Sequence, residues 1–406
     1  MSGNPIRRRG DEEPAITDAA GGGPSAGTPS TGELRRIGLD AGLSAVGFTT
    51  ADVLEPARSV LGLRREAGLA ATMEFTYRNP VRSTDPTEEL AGARSLVVGL
   101  RHYGGAGDPP RPVPGGPGDS PRRPVGRVAR YARADHYGAL RHGLATVADA
   151  LTATGFRARV VADSNALVDR NAAWRAGLAA YGKNTNLLVP GAGSWYVVGA
   201  VITDAALPAV DAPVTDLCGP CTACLDGCPT GAIVAPGVLD ARRCIAWLVQ
   251  AAEPIPVALR SAVGDRIYGC DVCQEVCPPN RSASDPASDP AGTGHPADPG
   301  AWIDVLWLLS ADDEALFATC GRWYIANRDP DVIRRTALIV LGNTADGHDP
   351  AVVAALRRYL VHDRALLRSH ATWAARRLGR ADLAASTRAD PVVEVRAEWD
   401  EPVTAR

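Results

Sequence analysis

CGPCTACLDGCPTGAI (residues 218–233) and YGCDVCQEVCPPN (residues 268–280), with Cys244 alone between them, hold eight of the nine cysteines of the chain. The first run is C-x2-C-x2-C-x3-C-P, formed by Cys218, Cys221, Cys224 and Cys228. In bacterial two-cluster ferredoxins the fourth cysteine of this spacing ligates the other cluster. Cys270, Cys273 and Cys277 repeat the pattern without its first cysteine, and Cys244 fills that place. Crosswise assignment then gives two sets of four. Cys218, Cys221, Cys224 and Cys277 hold one [4Fe–4S] cluster, and Cys228, Cys244, Cys270 and Cys273 hold the other. Three thiolates spaced in this way wrap one face of a cubane from a single loop. Pro229 and Pro278 stop the chain from continuing as helix and send the fourth cysteine elsewhere.

Disulfides would need an oxidising compartment, and the N terminus does not read as a signal peptide. Paired zinc sites also consume eight cysteines, but they read as separated C-x2-C knuckles without the C-x3-C-P ending. Two iron–sulfur clusters are the expectation and zinc is the alternative. Cys320, outside the motifs, reads as a buried structural thiol at a helix end.

The 406 residues can bury more than one core. The formal charge of −3 does not advertise nucleic acid, and no apolar run is long enough to span a membrane. A cytoplasmic monomer with no membrane partner is expected. Of the 43 basic side chains, Lys183 is the single lysine. A compact ammonium that can lose its proton differs from a guanidinium fork, so this position draws attention.

Residues 1–30 read as a disordered tail. Residues 31–210 alternate helix and strand and predict an α/β layer domain. Strands are expected at 45–48, 95–100, 156–162, 187–189 and 195–202, and helices at 34–43, 61–69 and 136–154. Inside this span, residues 104–124 hold seven prolines and six glycines and read as a mobile insertion. Residues 211–281 form the ferredoxin-type two-cluster domain, 282–300 a linker, and 391–406 a tail. Residues 301–390 read as helical. Asp329, Arg334 and Ala337 match Asp363, Arg368 and Ala371 at an offset of 34, as HEAT-like paired helices would. Residues 330–380 carry nine arginines against four acidic residues. Such a face meets either solvent or a phosphate backbone.

Asp163 follows an apolar strand and precedes a helix beginning near Val168. An aspartate there caps a helix, or stands where α/β proteins put chemistry. Gly182-Lys183-Asn184-Thr185-Asn186 is a polar loop, and Gly193-Ser194-Trp195 offers close backbone approach and an aromatic wall. Beside two clusters, these segments suggest a pocket for a second redox group.

AGLAATMEF (67–75), RYAR (130–133), VADS (161–164), RAGLAAYGKNTNLL (175–188), GSW (193–195), the eight cysteines and RRTALIVLGN (334–343) together resemble the epoxyqueuosine reductase family. The likeness runs over roughly residues 32–390. It implies cobalamin bound in a nitroreductase-like α/β domain, with electrons delivered one at a time by two [4Fe–4S] clusters. It implies reduction of epoxyqueuosine to queuosine at the wobble position of tRNA. Asp163 then falls on the proton donor. Tyr131, Asp163, Lys183, Asn184, Ser194 and Trp195 are the expected cobalamin contacts. The C-terminal repeats would grip the tRNA, with Arg334, Arg335 and Arg368 as contacts. A ferredoxin or flavodoxin would supply the electrons. A carboxylic acid can protonate the alkoxide of an opened epoxide at neutral pH if burial beside a corrinoid raises its pKa.

The chain departs from the family at two places. After RYA the family reads D-Y-H, where this chain has Asp135-His136-Tyr137-Gly138. After the lone cysteine the family reads S-Y-L-T-I-E, where this chain has IAWLVQAA. Two other functions stand beside the first. A corrinoid and iron–sulfur reductase for another substrate would bind cobalamin but not tRNA. An iron–sulfur electron carrier would bind neither, and would have no need of the large α/β domain.

Overall fold

The computed structural model describes residues 27–104, 123–209, 214–283 and 300–405. Most of the N-terminal tail, of the Pro/Gly insertion and of the linker expected at 282–300 lies outside the described residues.

Strands are numbered in chain order. They are β1 (Ala45–Thr50), β2 (Ser95–His102), β3 (Val125–Val128) and β4 (Ala158–Ala162). The short hairpin β5 (Ala180–Tyr181) and β6 (Leu187–Leu188) precedes β7 (Tyr196–Thr203). Then come β8 (Ile233–Ala235), β9 (Val238–Leu239), β10 (Arg266–Tyr268) and β11 (Trp302–Asp304).

The main sheet has the order β1-β2-β7-β4. Every pairing in it is antiparallel, with Ala45 opposite Leu100, Leu96 opposite Ile202 and Val161 opposite Ala200. The expected alternation of helix and strand is present and does give layers, but not a parallel sheet. One face, with Val97 and Val201, packs on Leu34, Leu140, Leu144, Val147 and Leu151. The other, with Leu96, Val98 and Ile202, packs on Leu54, Leu167 and Ala172. Both faces are covered, so β2 is buried from Ser95 to Leu100 and reads as a continuous apolar run. Such a run is the usual mark of parallel strands, and it says nothing of direction here. Gly99 and Gly199 lie opposite each other in the register. A Cβ on either would come within 2.9 Å of the Leu144 side chain. The pair therefore lets the helix His136–Thr152 seat closely on the sheet.

Helix starts follow local chemistry. Ser30 accepts from the N–H of Glu33 ahead of Thr31–Asp40, and Asp135 accepts from the N–H of Gly138 ahead of His136–Thr152. The Asp135 that departs from the family motif is thus a helix cap.

A second sheet, β10-β3-β11, joins three distant parts of the chain. β3 pairs parallel with β10 and antiparallel with β11. One continuous core follows, from Val128 and Ala132 through Ile245, Ile267 and Val305 to Leu338, Trp373 and Ala384. It runs through stretches that the sequence assigns to three domains. The C-terminal part is helical from Val305 onward, with β11 before it. Helices Asp331–Thr344 and Ala365–Arg377, which carry the two copies of the 34-residue offset, pack against each other. No described helix is long and apolar enough to cross a membrane.

Candidate active site

The two cysteine runs fold alike. Short helices Ala223–Asp226 and Val272–Glu275 follow Cys218 and Cys221 in the first run and Cys270 in the second, carry Cys224 and Cys273, and end before a C-P pair. The helices touch at Gly227, where a Cβ would meet the carbonyl oxygen of Ala223 at 2.9 Å and Val276 at 3.1 Å. This contact brings the runs side by side.

The eight thiols fall into two groups. Cys218, Cys221, Cys224 and Cys277 line one small cavity, with Lys183, Asn184 and Pro278. Burial pushes the Cys277 thiol up to about 11, and Cys218 and Cys224 push it further in the same direction. In the second group, burial pushes Cys244 up to about 11, with Cys270 and Cys228 adding to it. Burial and the neighbours Cys270, Cys244 and Cys228 also push Cys273 well above the usual thiol range. Burial also raises Cys228, but the N–H groups of Thr230, Ala232 and Ile233 outweigh it and the net shift is downward. Among the described residues no three His, Cys, Asp or Glu side chains converge on a single-ion site. Four thiols gathered in one place suit a polynuclear cationic core, which neutralises their thiolates together. Cys320 stands apart, with no exposed surface, and burial pushes it up to about 12.

The Gly182–Asn186 loop reaches both groups. Lys183 donates from Nζ to the carbonyl oxygens of Gly219 at 2.6 Å and Cys221 at 2.9 Å, and its N–H lies 3.5 Å from Cys218 Sγ. Asn184 donates to the carbonyl oxygen of Cys273 at 3.1 Å. Asn186 Nδ2 lies 3.8 Å from Cys273 Sγ. Ser194 is buried in a net with Gln274 and Asn280. Its N–H donates to Asn280 Oδ1 at 2.6 Å, and its hydroxyl accepts from Asn280 at 2.8 Å and from Gln274 at 3.0 Å. Lys183, Asn184 and Ser194, expected at a corrinoid, are therefore engaged by the cysteine loops. Each polar group has a protein partner on that side.

Tyr131 accepts from Gln250 Nε2 at 3.0 Å, and its ring lies 6.2 Å from that of Tyr268. Trp195 is 2% exposed and carries the guanidinium of Arg130 over its ring at 4.6 Å. Its indole N–H is buried with no acceptor among the described residues. Tyr103 touches Trp195 edge-on, stacks obliquely on His136, and bonds to Gln274. Burial pushes the Tyr103 hydroxyl up beyond the usual phenol range, with a further contribution from Asp271. Asp271, whose Oδ2 accepts from the N–H of Arg130 at 2.7 Å, is pushed up to about 6 by burial.

Asp163 ends β4 on the exposed surface, with φ +51. Its N–H donates to Asp169 Oδ2 at 3.2 Å. Tyr137 stands near both carboxyls. Burial first, then Asp163 and Asp169, hold its hydroxyl well above the usual range. An aromatic wall of Tyr137, Tyr103 and Trp195 thus leads from Asp163 toward Cys273, which lies near Tyr103. Sequence reasoning missed Asp169, Asn186, Gln274 and Asn280. The last two sit inside or just after the second cysteine run, where a polar residue is easily read as spacer.

The three arginines expected on tRNA are a correction. Arg335 has no exposed surface and donates to the carbonyl oxygens of Leu248, Ala251 and Glu253. Arg334 is paired with Asp331 and Asp313. Arg368 is paired with Asp390 and bonded to the carbonyl oxygens of His362 and Asp363. Arg335, with no exposed surface, cannot meet a phosphate, and Arg334 and Arg368 have most of their donors engaged within the fold.

Residues 217–280 match the 4Fe-4S double cluster binding domain. An epoxyqueuosine reductase of Burkholderia pseudomallei is 33% identical over 376 residues, covering 84% of this chain and 91% of that protein. One of Xanthomonas campestris is 34% identical over 360 residues, covering 86% of this chain and 96% of that protein. Among solved structures, an epoxyqueuosine reductase with an epoxyqueuosine-modified tRNA-Tyr stem loop superposes with a TM-score of 0.77 at 27% identity. The match covers 91% of this chain and 96% of that one. The Bacillus subtilis enzyme, with its catalytic aspartate loop swung out of the active site, superposes with a TM-score of 0.75 at 28% identity. That match covers 91% of this chain and 98% of that one. With eight cysteines in two groups of four, a shared fold and this identity along most of its length, the chain belongs to the epoxyqueuosine reductase family.

Proposed function

We infer that the chain reduces epoxyqueuosine in tRNA to queuosine. The observation that carries this reading is the likeness to the tRNA-bound enzyme over 91% of the chain, with the eight cysteines assembled into two groups of four. Removing the epoxide oxygen as water takes two electrons and two protons. When bound, two [4Fe–4S] clusters and cobalamin supply the electrons and the reducing centre, with a ferredoxin or flavodoxin as their source.

The residues fit these groups. Cys218, Cys221, Cys224 and Cys277 would hold one cluster, and Cys228, Cys244, Cys270 and Cys273 the other. Lys183 and Asn186 lend donors close to the sulfurs, which tunes a cluster as well as placing it. For the corrinoid, the fitting feature is the buried indole N–H of Trp195, a donor with no acceptor among the described residues. Trp195, Tyr103 and Tyr137 would form the dry wall of its pocket.

Asp163 gives its proton to the oxygen released from the epoxide. The Bacillus subtilis enzyme carries its catalytic aspartate on a loop, and Asp163 lies on an exposed loop of this chain. Tyr137 stays protonated at neutral pH and keeps the surroundings of Asp163 poor in competing anions. Lys183, Asn184 and Ser194 fix the cysteine loops against the sheet domain.

Nucleoside mass spectrometry of tRNA from a host lacking its own epoxyqueuosine reductase tests the reading. With this chain and a cobalamin supply, queuosine should appear at the expense of epoxyqueuosine. Persistent epoxyqueuosine, with clusters and corrinoid bound to the protein, would overturn it in favour of another substrate.

A further inference from the structure

Asp163 sits in the left-handed backbone region, φ +51, which a non-glycine residue adopts only when its surroundings hold it there. The loop it opens, Asp163-Ser164-Asn165, is exposed. The group that meets it comes from a rigid neighbour. Asp169 is the first residue of the helix Asp169–Arg175. That helix is anchored at three places. The N–H of Val168, just ahead of it, donates to the carbonyl oxygen of Ser83, and Ala172 and Ala173 have no exposed surface. Arg175 donates to the carbonyl oxygens of Thr50 and Asp52.

From this platform, Asp169 Oδ2 accepts the N–H of Asp163 at 3.2 Å. Its other oxygen, Oδ1, is buried with no partner among the described residues. A half-satisfied buried carboxyl is costly for a fold to keep. Its one hydrogen bond runs to the backbone of Asp163. Burial, then the charge of Asp163, hold its carboxyl well above the usual range, opposed by Arg170 and Arg141.

We propose that Asp169 is a positioning residue whose carboxyl latches the backbone of the 163–165 loop and holds the Asp163 side chain at the reacting centre. This rests on the reading of Asp163 as proton donor. Asp169 need not touch substrate or cofactor. It acts by restricting where Asp163 can be, so its loss should appear in turnover and in loop motion, not in tRNA affinity.

The test uses the full chain loaded with clusters and cobalamin, an epoxyqueuosine-bearing tRNA stem loop, and the variants Asp169→Ala, Asp169→Asn and Asp163→Asn. Losing a hydrogen bond to a carboxylate should lower kcat of Asp169→Ala by about tenfold to a hundredfold, with KM for the stem loop within about twofold. Amide hydrogen exchange of the 161–168 segment should speed up in the same variant. Asp169→Asn keeps an acceptor oxygen and should recover most of kcat and slow exchange again. Wild-type turnover in Asp169→Ala, unchanged exchange of the segment, or an Asp169→Asn variant as impaired as Asp169→Ala would each overturn the latch. Full turnover in Asp163→Asn would instead remove the proton-donor reading beneath it. An inactive Asp163→Asn beside a fully active Asp169→Ala sinks the latch alone.

Discussion

Lys183 Nζ lies 2.6 Å from the carbonyl oxygen of Gly219, inside the first cysteine run. The same ammonium reaches the carbonyl oxygen of Cys221. A compact ammonium with three donors satisfies both carbonyls from a single atom and takes less room than a planar guanidinium. In a chain that otherwise uses arginine for every basic side chain, this is a physical reason for a lysine here. Lys183→Met and Lys183→Arg should both loosen the loop that carries Cys218 and Cys221. We expect about half of the bound iron to become labile to a chelator, since one of two clusters is affected. Timed chelation followed by iron and sulfide assay checks this. Wild-type iron retention in both variants would dismiss the strap.

Cys244 sits outside both cysteine runs, yet it faces Cys270 and Cys228. Cys244→Ala should remove about half of the iron and leave the other cluster's spectrum intact. Cys320→Ala removes a thiol of the helical core and should leave iron unchanged. Full iron content in Cys244→Ala would break the crosswise assignment.

The cysteine frame was legible because ligand spacing is local chemistry written directly in residue numbers. The strands of the main sheet were also legible, since β2 and β7 are long apolar runs. Their direction was not, because a sheet covered on both faces looks the same in sequence whichever way its strands run. β3, β10 and β11 were missed for another reason. Each is three or four residues long and exists only by pairing with chain far away in sequence. Asp163 was found at a strand end, but Asp169 was not, since its role depends on which way one carboxyl points. The basic stretch misled most. Counting charges cannot distinguish an arginine that faces solvent from one that closes the core, and Arg335 is the second kind.

That distinction gives a stability prediction. Burial, reinforced by Arg260, pushes the Arg335 guanidinium down to about 9, so it remains charged at neutral pH. Its donors satisfy three buried carbonyl oxygens. Arg335→Met should lower stability by about 3–5 kcal/mol, the usual result of removing one partner from a buried charged network. Urea unfolding measures it. Binding of a tRNA stem loop to the folded fraction should match wild type. Intact stability with weakened tRNA binding would restore Arg335 to the nucleic-acid face.

His370 lies in the same helical core with no exposed surface. Nδ1 is 2.8 Å from the carbonyl oxygen of Leu366, so the neutral ring donates there, and Nε2 is buried without a partner. Burial first, then the cations of Arg260 and Arg335, hold its pKa well below the ordinary histidine value. The folded protein therefore keeps His370 neutral where the unfolded chain would protonate it. Above about pH 6.5 neither state carries the proton and the full stability is present. As pH falls below that value, the unfolded state gains a proton that the folded state refuses. Stability then drops by up to about 1.4 kcal/mol per pH unit until the folded pKa is reached. Asp271 and Asp169, whose carboxyls are also pushed up, titrate alike in wild type and in a His370 variant, so the difference between the two from about pH 6.5 to 5 reports the histidine. His370→Asn can still donate to Leu366 and cannot take up a proton. Its stability should fall less than that of wild type across this interval, measured by urea unfolding at each pH. Parallel losses in the two proteins would assign the acid sensitivity to other groups.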